Sequence, residues 1–348
     1  MSDISRSHGR AGSRSTMREV AELAGASLKT VSRVINGEGN VNPELSERVL
    51  AAVRTLDYRP NLQAGFLRRT DGKTQTIGLL VENISNPFSS SLHRAIEDAA
   101  RKRNVIVFAG SLDEDEARER ELADAFLSRR VDGLIIVPAG SDQAYLAREQ
   151  EAGTPIVFLD RPSGNLAADT VVATNFDGGF AATMHLINHG HRRIAYIGDY
   201  ATIYTGAQRL LGYRKALEVS EIAFDERIVI QGSHSSEEAQ TALTSMLSSE
   251  NPPTAIFASQ NFVTLGAIRT LHSMNIEKTI ALVGFDEIPE ADLLSPAITL
   301  ITQDVMAMGE CAAQLLFNRL DGYDGEFEKR VIPTVLTPRG SGEITPRF

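Results

Sequence analysis

At 348 residues the chain is long enough for two or three domains, and a composition 42% apolar and 23% charged is that of a soluble globular protein. A single cysteine, Cys311, excludes an intrachain disulfide and fits a reducing cytosol, and no run approaches the roughly 18 apolar residues of a membrane span. The net charge of −10 is uneven: residues 1–70 hold 11 Lys and Arg against 7 Asp and Glu, while the remainder holds 24 against 38, so a basic head that suits a polyanion precedes an acidic body.

The opening MSDISRSHGRAGSR has no apolar core segment, and residues 1–15 are expected to be a disordered tail, not a secretory signal. Thr16-Met17-Arg18-Glu19 is a capping box and predicts a helix to about Ala24. Gly25 supplies a left-handed residue that ends that helix at little steric cost. Ser27 is a suitable N-cap for a second helix over roughly 28–36. Asn42-Pro43 starts a third, whose apolar stripe is Leu45, Val49, Val53 and Leu56.

Two small helices joined by a glycine turn make a helix-turn-helix, whose second helix can enter the DNA major groove by its N-terminal residues. Leu28, Lys29 and Arg33 are spaced to face outward together. Lys29 and Arg33 can donate to guanine N7 and O6, and Leu28 can meet a thymine methyl. Ser27, Thr30, Ser32 and Asn36 are short hydrogen-bonding residues suited to phosphates. By spacing alone, an ordinary three-helix domain with a solvated polar face remains open.

The stretch VAELAGASLKTVSRVINGEGNVNPELSERVLAAVRTLDYRPN resembles the head of the lactose-repressor (LacI) family nearly position for position. Its pattern V-A-x-x-A-G-V-S, T-V-S-R-V-[IL]-N and L-x-Y-x-P-N is met by Val20 to Ser27, Thr30 to Asn36 and Leu56 to Asn61, with Ala26 in place of the usual Val. The resemblance implies a DNA-binding domain over 16–60, with base contacts from Leu28, Lys29 and Arg33. Phosphate contacts would come from Thr16, Ser27, Thr30, Ser32, Asn36, Tyr58 and Asn61. It also implies a hinge over 61–73 that folds as a helix on the operator, pairs with its twin in a homodimer and wedges Leu67 into the minor groove. Gly65 departs from the usual long polar residue and lowers helix propensity by up to ~1 kcal/mol.

From residue 74 the pattern changes. β-rich runs (TIGLLV, VIVFAG, GLIIVPAG, PIVFLD, RIAYIGD, RIVIQG, TAIFAS, TIALVGFD) alternate with helical stretches such as SSLHRAIEDAARKR and EARERELADAFLSRR. This alternation predicts an α/β body with parallel sheets, too long for one core and most simply split into two lobes. Ligands of such sheets bind beyond the C-terminal strand ends, here between facing lobes. The body resembles the periplasmic-binding-protein fold of the same family, in which the chain crosses between lobes three times. The expected N-terminal lobe is 74–160 plus 290–320, and the C-terminal lobe 163–288 plus 325–340, closed by a strand at Leu336 to Ser341. No leucine heptads close the chain, so a tetramerising coil is not expected.

Polar and aromatic residues at or just past strand ends are the candidate effector contacts: Asn86 and Phe88, Asp160 and Arg161, Arg209, Gln260, Asp286, and Gln303. Such a set suits a hydroxyl-rich ligand: Asp accepts from adjacent hydroxyls, Arg and the amides fix orientation, and an aromatic face covers ring C–H groups. The body also resembles ribose-binding proteins through Asn86-Pro87-Phe88, Leu159-Asp160-Arg161, Arg209, Gly284-Phe285-Asp286 and Gln303. Ser89 replaces a second Phe, and Gln260-Asn261 replaces the usual Asn-Asp.

His185 and His189 have zinc-compatible i,i+4 spacing but no accompanying Glu or Cys, so no metal is expected. Phosphate-loop, dinucleotide and esterase motifs are not found, and no cofactor or enzymatic activity is expected. The run Asp113 to Glu116 reads as a helix cap favoured by the helix dipole. The chain is expected to be a cytoplasmic, dimeric repressor of pentose or ribose-type catabolism genes, released from a pseudo-palindromic double-stranded operator by a small sugar-like effector. Alternatives are a corepressor-dependent regulator that binds a sugar phosphate, nucleoside or other metabolite, and, from another class, a sugar-binding transport protein.

Overall fold

The computed structural model of the chain describes residues 15–35, 41–59 and 73–346. Leu67, Asn61 and Asn36 lie outside the described residues, as does the hinge up to residue 72. The chain divides into two compact units, 1–73 and 74–348.

The first unit is helical. Helices α1 (Met17–Ala24), α2 (Leu28–Ile35) and α3 (Pro43–Thr55) follow the caps read from sequence. Thr16 and Glu19 form both halves of the capping box, and Gly25 sits at φ 60°, ψ 41°. That left-handed residue turns the chain so that Val31 of α2 packs with Val20 and Ala24 of α1 and Val49 and Ala52 of α3. Arg48 fixes the turn from α3, donating from Nη2 to the Ala24 carbonyl at 2.5 Å.

The second unit holds two six-stranded sheets. The first lobe contains β1 (Thr76–Val81), α4 (Pro87–Arg101), β2 (Ile106–Ser111), α5 (Glu116–Ser128), β3 (Leu134–Ile136), α6 (Ala147–Glu151), β4 (Ile156–Asp160) and β5 (Asp169–Ala173). The second lobe contains α7 (Asn175–Asn188), β6 (Ile194–Ile197), α8 (Tyr204–Val219), β7 (Val229–Ile230), α9 (Ser236–Leu247), β8 (Ala255–Ala258), α10 (Asn261–Ser273), β9 (Ala281–Phe285) and β10 (Thr299–Gln303). The chain then returns α11 (Val305–Leu320) and β11 (Lys329–Ile332) to the first lobe and ends on β12 (Thr334–Thr337) in the second. The strand orders are β11-β5-β4-β3-β1-β2 and β12-β10-β9-β8-β6-β7, the same order in each lobe; only β12 runs antiparallel to its neighbour.

Period-two alternation explains why both faces of the sheets are covered. In the first lobe Ile77, Leu79, Val157 and Leu159 face α4 and α11, while Leu80, Ile156 and Phe158 face the opposite layer with Ala123 of α5. In the second, Tyr196, Phe257 and Phe285 pack under α7 and α8, while Ile197, Ile256 and Leu282 meet α9 and α10. Helices α7 and α8 cross closely because Gly179 and Gly212 lie at the contact. A Cβ on Gly179 would stand 2.3 Å from the Arg209 carbonyl oxygen, and one on Gly212 2.2 Å from that of Phe176.

The lobe boundaries expected from sequence need correction. The chain does not leave the first lobe after Asp160: Val157 to Asp160 pair with Asp169 to Val172, so β5 completes the first sheet. Strand β10, expected in the first lobe, pairs with β9 in the second. Strand β11, expected in the second, pairs with β5 in the first. In each case the chain crosses only after a strand has satisfied its backbone groups by pairing within its sheet, which a composition break at a polar loop does not report. The crossings are Thr174, Asp304 and Pro333, between β5 and α7, β10 and α11, and β11 and β12. Two of them are tied together, since the Thr334 amide donates to Thr174 Oγ1 at 2.9 Å. The closing strand is Thr334–Thr337 and not 336–341; Gly340 makes only an isolated bridge to Ala297.

Candidate functional site

On the head, α2 turns Val31 inward and leaves Leu28, Lys29 and Arg33 on its outer side, with Leu28 51% exposed. Ser27 accepts from the Thr30 amide at 3.1 Å, and the two hydroxyls lie 2.9 Å apart. This fixes the N-terminal turn of α2, the part that would meet a groove first. Thr16 is exposed at the start of α1 and Ser32 is half-buried. Tyr58, read from the family pattern as a phosphate contact, is buried in the head core with Val20 and Val49, so its first role here is packing.

In the body, the C-terminal ends of both sheets open on one cavity of about 480 Å³, counted out to its mouth. All eight sequence-predicted candidates line it: Asn86, Phe88, Asp160, Arg161, Arg209, Gln260, Asp286 and Gln303. Their positions follow from the matching strand orders. Asp160 ends β4 and Asp286 follows β9, the third strands in their sheets, and both take left-handed backbones, φ 66° and 68°. Asn86 caps α4, accepting from the Phe88 amide at 3.0 Å, and Gln260 likewise caps α10.

The cations are held by protein groups. Arg161 makes a bidentate pair with Glu114, both bonds 2.6 Å, and donates to the Pro138 carbonyl at 3.1 Å. Arg209, 5% exposed, donates from Nε to Asn175 Oδ1 at 2.8 Å and from Nη1 to the Ser259 carbonyl at 2.7 Å. Its Nη1 lies 3.6 Å from Asp286, and its guanidinium stacks 3.7 Å over Phe285. Gln303 Nε2 donates to Asp286 Oδ1 at 2.6 Å. Three buried polar atoms in this set have no hydrogen-bond partner: Asp160 Oδ1, Gln303 Oε1 and Arg161 Nε. Burial pushes the Asp160 carboxyl up to about 6, against the pull of Arg161 and Arg209 and with the help of Asp286 and Glu114.

The cavity also includes residues that sequence reading did not select: Glu82, Glu114, Asp199, His234 and Asn261 among them. Glu82 directly follows β1 and Asp199 follows β6, so a strict strand-end rule would have found both. By sequence Glu114 belongs to a helix-capping acidic run. Asp115 does cap α5, accepting from the Ala117 and Arg118 amides, while Glu114, at φ 58°, pairs with Arg161. His234 follows a two-residue strand with no period to read. The two histidines at zinc-compatible spacing make protein contacts: His185 Nε2 lies 2.6 Å from Glu343 Oε1, and His189 Nδ1 lies 2.8 Å from the His185 carbonyl. No cluster of three or more potential metal ligands occurs among the described residues.

A helix-turn-helix unit joined to a two-lobed α/β body with a polar cleft defines a class of DNA-binding regulators that respond to small molecules. The sequence profile described as "Bacterial regulatory proteins, lacI family" matches residues 16–61, and "Periplasmic binding proteins and sugar binding domain of LacI family" matches 74–335. The chain belongs to the LacI family of transcriptional regulators. Among its relatives is the ribose operon repressor of Halalkalibacterium halodurans, 34% identical over 327 residues, covering 93% of this chain and 96% of the relative. The lac repressor dimer bound to operator and the anti-inducer ONPF superposes with TM-score 0.82 at 26% identity, over 95% of this chain and 99% of that one. A LacI-family regulator from Enterococcus faecium with bound ribose superposes with TM-score 0.70 at 28% identity, over 78% of this chain and 100% of that one. No helix among the described residues is long and apolar enough to cross a membrane.

Proposed function

We propose that this protein is a dimeric repressor of a carbohydrate operon, and that a neutral, hydroxyl-rich effector of pentose size in the cleft releases it from a pseudo-palindromic operator. The observation that carries the effector class is the state of the polar atoms around Asp160. Two buried acceptors, Asp160 Oδ1 and Gln303 Oε1, have no donor, and a buried unpaired acceptor costs about 1–3 kcal/mol. Hydroxyl groups supply donors at both. Arg161 Nε, 3.7 Å from Asp160 Oδ2 and without a hydrogen bond of its own, is a donor within the same cluster and suits a ring or hydroxyl oxygen.

The charges argue against an anionic effector. The cavity is lined by Glu82, Glu114, Asp160, Asp199 and Asp286 against Arg161, Arg209 and His234. Both arginines already bind protein oxygens. A sugar phosphate would bring negative charge into an acidic pocket with no uncommitted arginine. Phe88 remains to cover one ring face, while buried Ser89 leaves room where a second aromatic would stack. The ribose operon repressor and the ribose-bound regulator among the relatives support a pentose.

In the head, Lys29 and Arg33 read guanine edges, Leu28 meets a thymine methyl, and Thr16, Ser27, Thr30 and Ser32 position the backbone. Leu67, Asn36 and Asn61 complete the proposed DNA contacts. The effector acts by binding one lobe arrangement more tightly than the other. Calorimetry with ribose, other pentoses, nucleosides and ribose 5-phosphate tests the effector: a neutral sugar binds and the phosphate does not. Tight phosphate binding with no response to any neutral sugar would overturn the assignment.

A further inference from the structure

Beyond the Asp160 cluster, a second polar system spans the cleft. His234 Nδ1 lies 2.9 Å from Asp199 Oδ1, within the second lobe, and His234 Nε2 lies 3.2 Å from Glu82 Oε1, across the cleft on the first. Asn86 Nδ2 donates to Glu82 Oε2 at 3.4 Å, and Asn86 Oδ1 accepts from Asn261 Nδ2 at 2.6 Å, back on the second lobe. Gln260, beside Asn261, closes the circuit by donating to the His234 carbonyl at 3.4 Å.

The place of this circuit in the fold matters. The three crossings sit at the β5, β10 and β11–β12 side of the sheets. Glu82 and Asn86 follow β1, Asp199 follows β6 and His234 follows β7, toward the opposite side. A hinge lies at one side of the cleft, and a chain of hydrogen bonds joins the lobes at the other. Both imidazole nitrogens face carboxylates, so both must donate and the ring is an imidazolium. The groups packed against it are Asp199, Glu82, the Tyr200 ring stacked at 5.7 Å, and Glu238, whose Oε2 accepts from the His234 amide at 2.8 Å.

We propose that Glu82 and His234 form a charged clasp on the side of the cleft away from the hinge, which holds the lobes together without a ligand and limits the effector to a molecule that fits behind it. The clasp is drawn from contacts between the lobes alone; its sizing role rests on the reading of the cleft as the effector site. A monosaccharide sits against the Asp160 cluster with the clasp shut. A second sugar unit would extend toward the mouth and require the Glu82–His234 bond to break. The carboxylates that flank the ring hold its proton well above the usual histidine range, up to about 10, so the clasp stays charged at neutral pH.

The test uses the full chain with one dye on each lobe, at exposed Lys102 and Lys215 changed to Cys in a Cys311→Ser background, by single-molecule energy transfer without ligand. The parent gives one narrow population, and Glu82→Gln and His234→Gln each add a second, more open one. Identical distributions in parent and variants would overturn the clasp. Calorimetry with ribose and maltose then tests the sizing: the parent takes ribose only, and the variants gain maltose binding by roughly tenfold or more. A parent that binds maltose as well as ribose refutes the sizing role. A parent that binds no neutral sugar refutes the effector reading, and the ligand-free distance measurement still decides the clasp.

Discussion

Replacing Gly25 by Ala perturbs the one residue that sets α1 against α2. Gly25 holds φ +60°, and an added Cβ would stand 2.7 Å from Arg48 Nη2. The left-handed backbone costs an alanine about 1–2 kcal/mol. Arg48 must also move from the Ala24 carbonyl, to which it donates at 2.5 Å, forfeiting part of a charge-assisted bond worth roughly 1.5–3 kcal/mol. Because the guanidinium is the far end of a flexible side chain, part of that second cost is recovered, and the sum is about 2–3 kcal/mol. In a unit as small as the head this lowers the midpoint by at least ~10 °C. The assay is calorimetry of the full chain; the head transition is the one that operator DNA raises. Gly25→Asn is the control: Asn tolerates the left-handed region but keeps the Cβ contact, so it loses about half as much. A midpoint for Gly25→Ala within ~2 °C of the parent would refute the assignment of Gly25 as the helix-setting turn.

Asp160→Asn separates stability from binding. It removes a buried carboxylate whose pKa is pushed up to about 6, so at pH 7.5 the ligand-free body gains on the order of 1–3 kcal/mol while ribose binding is lost; thermal melts with and without ribose read both. The same shift fixes a pH trend: a carboxyl raised by burial makes the ligand-free fold more stable in acid, and its contribution declines as pH rises through 4 to 6. His234 acts in the same direction over a higher window, because its raised pKa gives stability that is complete below pH ~6.5 and is lost as pH rises toward 10. Melting curves from pH 6 to 10 should therefore fall less steeply in Glu82→Gln than in the parent, and equal slopes would contradict the pairing. Gly179→Ala pushes α8 away from α7 at the Arg209 carbonyl, displaces the Arg209 guanidinium from Asp286, and weakens ribose binding about tenfold or more with a small change in DNA affinity.

Much of this molecule is legible in its sequence because local chemistry and global structure agree there. The caps at Thr16, Ser27 and Asn42 and the turn at Gly25 follow from which residues satisfy or release helix ends, and the helices form where those signals stand. Buried central strands such as TIGLLV and IVFLD read as apolar runs. Residues at or after the strand ends, Asn86, Asp160, Asp286 and Gln303, are brought to one cavity because both sheets present the same ends to the cleft. What stays hidden depends on pairing at a distance. Strand β5, DTVVA, carries a charge and a hydroxyl and becomes a strand through the register it shares with β4 and β11. Glu114 looks like a helix cap until Arg161, 47 residues on, is seen to hold it. His234 gains its meaning from Glu82, 152 residues away on the other lobe.

The most direct test titrates ribose into the complex of the full-length protein with a fluorescent operator duplex at fixed, moderate salt and follows anisotropy, since protein–DNA affinity means little without the salt concentration. Saturating ribose is expected to lower operator affinity by at least about tenfold in the parent and to leave that of Asp160→Asn unchanged. Ribose that binds the cleft while operator affinity stays constant would contradict the link between cleft and head.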